Sequence, residues 1–242
     1  MAFLNKIFTK AAELPNQFPF TLPVFANGVE FELNSNVTFF VGENGSGKST
    51  LLEAIAEKCE FNLSGGSRNN IYHFTETESV LCQYLKLRWS LKVNQGFFMR
   101  AESFFNFATH LDEMSKEFGS KVFSSYGGKS LHQQSHGEAF LSLFTNRFKG
   151  GIYLLDEPEA ALSPQRQLSF LSIIHELVTT SDAQFIIATH SPILLSYPGA
   201  AIFSFDSDVI TPICYEETEA YALTKRFLNA PEQYLIPIAL IV

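Results

Sequence analysis

The feature that most restricts this chain is Gly42-Glu43-Asn44-Gly45-Ser46-Gly47-Lys48-Ser49. It matches the phosphate-loop pattern G-x-x-x-x-G-K-[ST] at every fixed position and continues into Thr50. The preceding Val37-Thr38-Phe39-Phe40-Val41 is β-branched and aromatic, which predicts a buried strand, and the following Leu51-Leu52-Glu53-Ala54-Ile55-Ala56 predicts a helix. Glycines let the backbone curl until several N–H groups converge on one phosphate, and the helix that starts there adds its N-terminal dipole. On this reading Gly42, Glu43, Asn44, Gly45, Ser46 and Gly47 form the cradle. Lys48 reaches the β- and γ-phosphates, Ser49 ligates Mg²⁺ and Thr50 lies near the α-phosphate. The bland alternative, a glycine-rich turn that happens to spell the motif, does not account for the strand and helix on its two sides.

A phosphate loop names no reaction by itself. The complement lies downstream, in Gly151-Ile152-Tyr153-Leu154-Leu155-Asp156-Glu157, an apolar run delivering two acids at its end. A buried parallel strand presents carboxylates at its C-terminal end in this way. Asp156 is assigned to the Mg²⁺ shell. Glu157 is assigned to the water that attacks the γ-phosphate, since a carboxylate beside the metal but not bound to it can accept the proton. The alternative is a strand with acids as polar punctuation before a turn at Pro158.

Between loop and acids stands Gln134-Ser135-His136-Gly137-Glu138, followed by an apolar helical stretch over 139–148. Beyond the acids, Gln184-Phe185-Ile186-Ile187-Ala188-Thr189-His190-Ser191-Pro192 is a strand ending in a histidine. Taken in order, phosphate loop, signature-like segment, acid pair and histidine resemble the ATP-binding-cassette ATPases over roughly residues 37–205. The resemblance implies that Ser135 and Gly137, at a helix N-terminus, donate hydrogen bonds to a γ-phosphate held by a second copy of the chain. It implies that His190 orients the water and senses the γ-phosphate. The same residues have structural readings. Ser135 and Glu138 spell a helix capping box, and His190 can simply close a buried strand.

The departures from the transport members of that family are equally specific. Theirs is a Leu-Ser-Gly-Gly-Gln signature, whereas this chain has His136 and Glu138, and no clean glutamine loop is present. The positional candidate for that loop is Gly96-Phe97-Phe98-Met99-Arg100-Ala101-Glu102, with Glu102 in the metal-contacting role. Asp156-Glu157-Pro158-Glu159-Ala160-Ala161-Leu162-Ser163-Pro164 resembles the cassette ATPases related to chromosome-maintenance, recombination-repair and overcoming-lysogeny proteins, grouped as predicted AAA-type ATPases. In them the stretch at 160–163 touches the partner subunit. Ser163-Pro164 also spells a helix start, cap then proline. Phe18 and Phe20 lie about where cassette proteins stack an aromatic on adenine, but with 25 phenylalanines in 242 residues core packing is the preferred reading.

The rest of the chain narrows the class. A net charge of −8 argues against a broad nucleic-acid face, which needs clustered Lys and Arg. Cys59, Cys82 and Cys214 are too scattered for a disulfide framework or a zinc site. Residues 1–13 lack a signal-peptide pattern, and the apolar stretch at 234–242 is too short to span a bilayer, so it reads as a packed tail or a partner contact. Residues 63–70 read as a loop near the nucleotide mouth, with Arg68 either meeting phosphate or solvated. The stretch 71–92 reads as an antiparallel strand pair, 103–118 as a helix and 119–134 as loop. Asp206-Ser207-Asp208 is suggestive of a metal-binding nuclease pair but is flanked by two short strand patterns, and the hairpin turn is preferred. Residues 216–228 predict a helix with acids first and bases last.

The expectation is therefore a single α/β domain over 1–242: a P-loop NTPase of the cassette type with a mainly parallel sheet core, an N-terminal antiparallel β portion and a helical insertion at about 97–149. Expected ligands are ATP and Mg²⁺, and the expected assembly is an ATP-dependent homodimer in the cytoplasm acting on an unidentified protein or nucleic-acid client. No transmembrane segment is expected. Two other roles fit the same motifs, the ATPase subunit of a membrane transporter and a nucleotide-gated switch with little turnover.

Overall fold

The computed structural model describes residues 2–10, 13–63, 66, 79–101, 104–126, 128–133 and 136–234. In chain order the elements are β1 (Leu4–Thr9), α1 (Pro23–Ala26), β2 (Glu30–Glu32), β3 (Val37–Val41), α2 (Lys48–Lys58), α3 (Val80–Tyr84), β4 (Leu85–Trp89) and β5 (Gly96–Arg100). There follow α4 (Phe104–Phe118), α5 (His136–Arg147), β6 (Gly151–Asp156), α6 (Pro164–Thr180), β7 (Ala183–Ala188), α7 (Pro192–Leu195), β8 (Ala201–Ser204), β9 (Thr211–Ile213) and α8 (Glu219–Asn229). Short 3₁₀ turns at Ser120–Tyr126, Leu131–Gln133, Pro158–Ala161 and Tyr215–Glu217 join them.

Two sheets carry the fold. The larger runs β5-β6-β7-β3-β8-β9, parallel except for its last strand, and the smaller is the antiparallel β2-β1-β4. In the central strands β3, β6 and β7 every residue is buried, as a parallel sheet covered on both faces requires. Side chains alternate between two cores. Phe39, Phe97, Met99, Tyr153, Leu155, Phe185 and Ile187 face one of them, where α4, α5 and α6 pack through Phe104, Phe107, Phe140, Phe144, Phe170 and Ile174. Phe40, Phe98, Ile152, Leu154, Ile186 and Phe203 face the other, which α2 and the small antiparallel sheet close. Tyr153 shows how polar atoms survive there. Its ring stacks between Phe148 and Phe185 while its hydroxyl donates to the Lys149 carbonyl at 2.8 Å.

The register levels the strand ends that matter. Arg100 pairs with Asp156, Asp156 and Phe40 both pair with Ala188, and Val41 pairs with Ser204. The carboxyl ends of β3, β5, β6, β7 and β8 therefore form one rim, and the loops leaving it are the phosphate loop, the acid loop and the histidine loop.

The α/β class, the largely parallel sheet and the N-terminal antiparallel portion agree with expectation. Several local readings do not. Among the described residues of 71–92, Val80–Tyr84 is helix and Leu85–Trp89 is a strand paired with β1. The described part of 119–134 contains two 3₁₀ turns where a loop is expected. β5 takes 96–100, so the helical stretch begins at 104. Ser163 and Pro164 do start α6 as cap and first residue, as expected, though the Ser163 side chain makes no cap bond. Residues 71–78, Arg68 and 235–242 lie outside the described residues.

One buried polar side chain joins the two sheets. Gln184 on β7 is 1% exposed; its Oε1 accepts the Phe3 and Leu4 amides at 3.0 and 2.9 Å, and its Nε2 donates to the Leu4 carbonyl at 2.8 Å. An apolar replacement keeps the volume but strands three backbone groups. Gln184→Leu should lower stability by about 3 kcal/mol, read as a drop in the urea midpoint at constant slope. An unchanged midpoint would remove Gln184 from its role as the joint.

Candidate active site

The phosphate loop leaves β3 at Val41 and enters α2 at Lys48. Gly47 takes φ 105°, and a Cβ there would stand 2.7 Å from the Phe25 ring, so both conformation and packing demand glycine. Lys48 is 5% exposed and folds back over its own loop, its Nζ donating to the carbonyls of Gly42 at 2.6 Å and Glu43 at 2.7 Å. Burial pushes its ammonium below the ordinary lysine value; the carboxylates of Glu157, Asp206, Asp156 and Glu159 pull it back up.

Asp156 ends β6 at 7% exposure, and Ser49 in the first turn of α2 donates to its Oδ1 at 3.0 Å. An alcohol and a carboxylate are oxygen donors suited to a hard divalent cation. Two are the usual protein share for Mg²⁺, which takes its remaining ligands from phosphate and water. Among the described residues no cluster of three or more His, Cys, Asp or Glu forms an all-protein metal cage. The donor set thus fits a metal brought with a nucleotide.

The second oxygen of Asp156 accepts Arg100 Nε at 3.2 Å, and the same guanidinium pairs with Glu53 of α2. Glu102, the sequence candidate for a metal-contacting role at the end of this strand, lies outside the described residues with Ser103. Strand order supplies the signal that was missed: β5 and β6 are neighbours and Arg100 is in register with Asp156. Ser49, Arg100, Ala101, Asp156, Glu157 and Ala160 line a cavity of about 420 Å³.

Glu157 follows in the left-handed region, φ 48° and ψ 51°, its amide donating to the Ala188 carbonyl at 2.9 Å. A non-glycine residue there stores strain of about 1–3 kcal/mol, and the turn re-aims the side chain out of the strand direction. Its Oε1 stands 3.8 Å from His190 Nε2, both side chains being partly exposed. The His190 amide donates to Glu159 Oε1 at 2.7 Å, and burial pushes the Glu159 carboxyl above the ordinary glutamate value. The structure therefore brings Lys48, Ser49, Asp156, Glu157 and His190 to one rim.

It keeps Gly137 elsewhere. This residue is buried in the first turn of α5 against α6 and the acid loop, where a Cβ would lie 2.5 Å from Arg166 Nη1 and 3.2 Å from the Ala161 carbonyl. Arg166 Nη2 also stands 3.6 Å from Glu138. Ser135 lies outside the described residues.

On the opposite side of the phosphate loop a second cavity of about 570 Å³ is lined by Leu22, Pro23, Val24, the loop from Glu43 to Ser46, Phe205, Asp206 and neighbours. Neither expected aromatic lines it. Phe20 is buried edge-on against Tyr84, which fits the core-packing reading, and Phe18 is 62% exposed. Asp206 does turn between β8 and β9, as the hairpin reading requires. Sequence reading missed its contact, however: its Oδ1 accepts the Glu43 amide at 2.7 Å and its Oδ2 the Ser204 hydroxyl at 3.1 Å.

Burial pushes the Asp156 carboxyl above the ordinary aspartate value, with the Ser49 hydroxyl and Arg100 opposing the shift and Glu157 adding to it. The folded protein therefore tolerates the protonated form better. The ionised group costs stability above its raised pKa, and the cost fades as pH falls through that value. Asp156→Asn should raise the melting temperature of the nucleotide-free protein at pH 7, by about 2–4 °C per kcal/mol recovered, since Arg100 keeps Glu53. The same variant should lose the further rise given by Mg²⁺ with ATP. A lower melting temperature without nucleotide would show that the Ser49 and Arg100 bonds outweigh the burial.

Two family models match the chain. One, described as "AAA domain", covers residues 19–117, and the other, described as "AAA domain, putative AbiEii toxin, Type IV TA system", covers 138–196. A curated relative from Sulfurisphaera tokodaii, "Putative ABC transporter ATP-binding protein", is 23% identical over 78% of this chain. The chain spans only 41% of that relative's length. Among solved structures, cbiO1 from Clostridium perfringens, part of the ABC transporter complex cbiONQ, has a TM-score of 0.50 at 18% identity and covers 96% of this chain and 98% of its own. A nucleotide-free ATP-binding cassette from an ABC transporter has a TM-score of 0.50 at 17% identity, covering 95% and 96%. At such identities the likeness is one of fold, and it is the same fold that the loop, acids and histidine require. Sheet order, rim chemistry and the two AAA-domain matches agree on a P-loop nucleotide-binding domain with the fold of the ATP-binding cassettes.

Proposed function

We propose that this chain binds Mg-ATP and hydrolyses it as a head-to-tail homodimer, each copy completing the other's site through Ser135 and Gly137, and that the cycle drives or gates an unidentified protein or nucleic-acid client in the cytoplasm. The observation that carries this reading is the pair Glu157 and His190, 3.8 Å apart beside the Ser49–Asp156 donors. One group suited to accept a proton from water and one suited to orient it stand next to the metal-binding oxygens.

Each residue has a task. Lys48 exchanges its bonds to Gly42 and Glu43 for the β- and γ-phosphate oxygens. Ser49 and Asp156 hold Mg²⁺, whose chemistry is to offset charge on those oxygens. Glu157 takes the proton of the attacking water while His190 fixes its direction. The 570 Å³ cavity lined by Leu22, Pro23, Val24 and Phe205 receives the nucleoside.

A second reading, the ATPase subunit of a membrane transporter, is favoured by the printed name of the curated relative. It is opposed by the signature, with His136 and Glu138, and by the absence of a clean glutamine loop. No helix among the described residues is long and apolar enough to cross a membrane.

Glu157→Gln removes the base and should trap the nucleotide-bound pair. Its light-scattering mass should double with Mg-ATP, return to one chain when Mg²⁺ is chelated, and fail to double when Ser135→Arg is added. Turnover should fall by about 10²–10⁴-fold, while Lys48→Ala should lose nucleotide binding itself. A mass that stays at one chain while ATP binds would overturn the homodimer. Turnover that is absent from the unmodified chain would leave the nucleotide-gated switch.

A further inference from the structure

The acid loop and the histidine loop are tied by more than Glu157 and His190. Glu159, in the 3₁₀ turn after the acid pair, accepts the His190 amide at 2.7 Å. Gln167 on α6, 8% exposed, accepts the Ser191 hydroxyl at 2.5 Å with its oxygen and donates to the Leu162 carbonyl at 3.2 Å with its nitrogen. Ser191 is fully engaged, for its oxygen also accepts the Ile193 and Leu194 amides that begin α7. Glu159 therefore holds the histidine by its amide, and Gln167 holds the next residue by its hydroxyl. Both arise from the segment that starts at the acid pair.

The chemistry of Glu159 is not what stability alone would select. Its second oxygen is buried without a hydrogen-bond partner, and a glutamine would accept the same amide without burying a charge. The clamp also reaches toward the outer part of the loop. Leu162, held by Gln167, follows Ala161, whose carbonyl lies against Gly137 of α5. A displacement of residues 160–162 has a short bonded route to the histidine.

We propose that Glu159 is a positioning residue for His190, acting with Gln167 to transmit the placement of the loop at 160–162 to the histidine. The proposal rests on the catalytic reading of His190 given above. Glu159 itself touches neither nucleotide nor metal in this scheme.

The test compares Glu159→Ala with Glu159→Gln in the full chain. Amide hydrogen exchange at His190, without nucleotide, should accelerate about tenfold or more in Glu159→Ala, with the amides of α2 unchanged, and should stay near the native rate in Glu159→Gln. In steady-state turnover of ATP, Glu159→Ala should lower kcat by about 10–100-fold, the scale of a small misplacement at a reacting centre, with KM within about twofold. Glu159→Gln should restore most of it, and Gln167→Met should lower kcat less than additively when combined with Glu159→Ala. Native exchange at His190 in Glu159→Ala would overturn the clamp whatever the turnover. Equal loss in Glu159→Gln and Glu159→Ala would also overturn it, because the carboxylate would then act in the chemistry. If the unmodified chain shows no turnover, the catalytic reading fails on its own, and the exchange data still decide whether Glu159 holds the histidine.

Discussion

Everything at the site depends on a parallel sheet buried on both faces. Such a sheet can be built only from strands that are apolar throughout, so it admits no catalytic side chain along its length and displaces chemistry to the strand ends. Alternation of Phe39 with Phe40 and of Leu154 with Leu155 divides the aromatic and aliphatic bulk between two cores. The ladder then brings Val41, Arg100, Asp156, Ala188 and Ser204 to one level. Phosphate loop, acid loop and histidine loop become neighbours because register leaves them no other place, although they are far apart in sequence.

At that rim opposite charges are arranged in short chains. Arg100 bridges Glu53 and Asp156, and Lys48 is bonded to loop carbonyls within the field of four acids. A nucleotide must compete with these internal partners, so its affinity is a difference between two well-bonded arrangements and not the sum of new contacts. The arrangement also explains why a lysine can be buried at all. Its desolvation is offset by the neighbouring carboxylates.

Legibility in the sequence followed the range of the interaction. The phosphate loop, the strand ending in Asp156 and Glu157, and the strand before His190 are contiguous patterns, and each stands where it is expected. Val80–Tyr84 misled because its partial alternation suits a strand, yet Leu81 and Cys82 are buried as one turn of helix before the chain extends into β4. Arg100, Gln184 and Asp206 carry no local signature. Each becomes meaningful only through a partner more than fifty residues away, Asp156, Leu4 and Glu43 respectively. Phe20 shows the converse case: the reading preferred on composition, core packing against the one carried over from the resemblance, is the one the chain uses.

Gly137 illustrates why motif identity and motif function are separate questions. Within one chain the residue has no room for a side chain, since Arg166 and the Ala161 carbonyl close on the place a Cβ would take. A side chain at 137 therefore requires Arg166 to move aside and the Ala161 carbonyl to give slightly, whether or not a second copy ever presents a phosphate to it. A larger residue at 137 would push on Arg166 and on the loop after the acid pair, disturbing the chain's own Glu157 before any interface is formed. Loss of activity on changing it cannot distinguish a contact with a partner's nucleotide from a displaced acid loop in the same molecule. The discriminating power lies in mass and not in rate, because only a contact between copies changes the size of the particle.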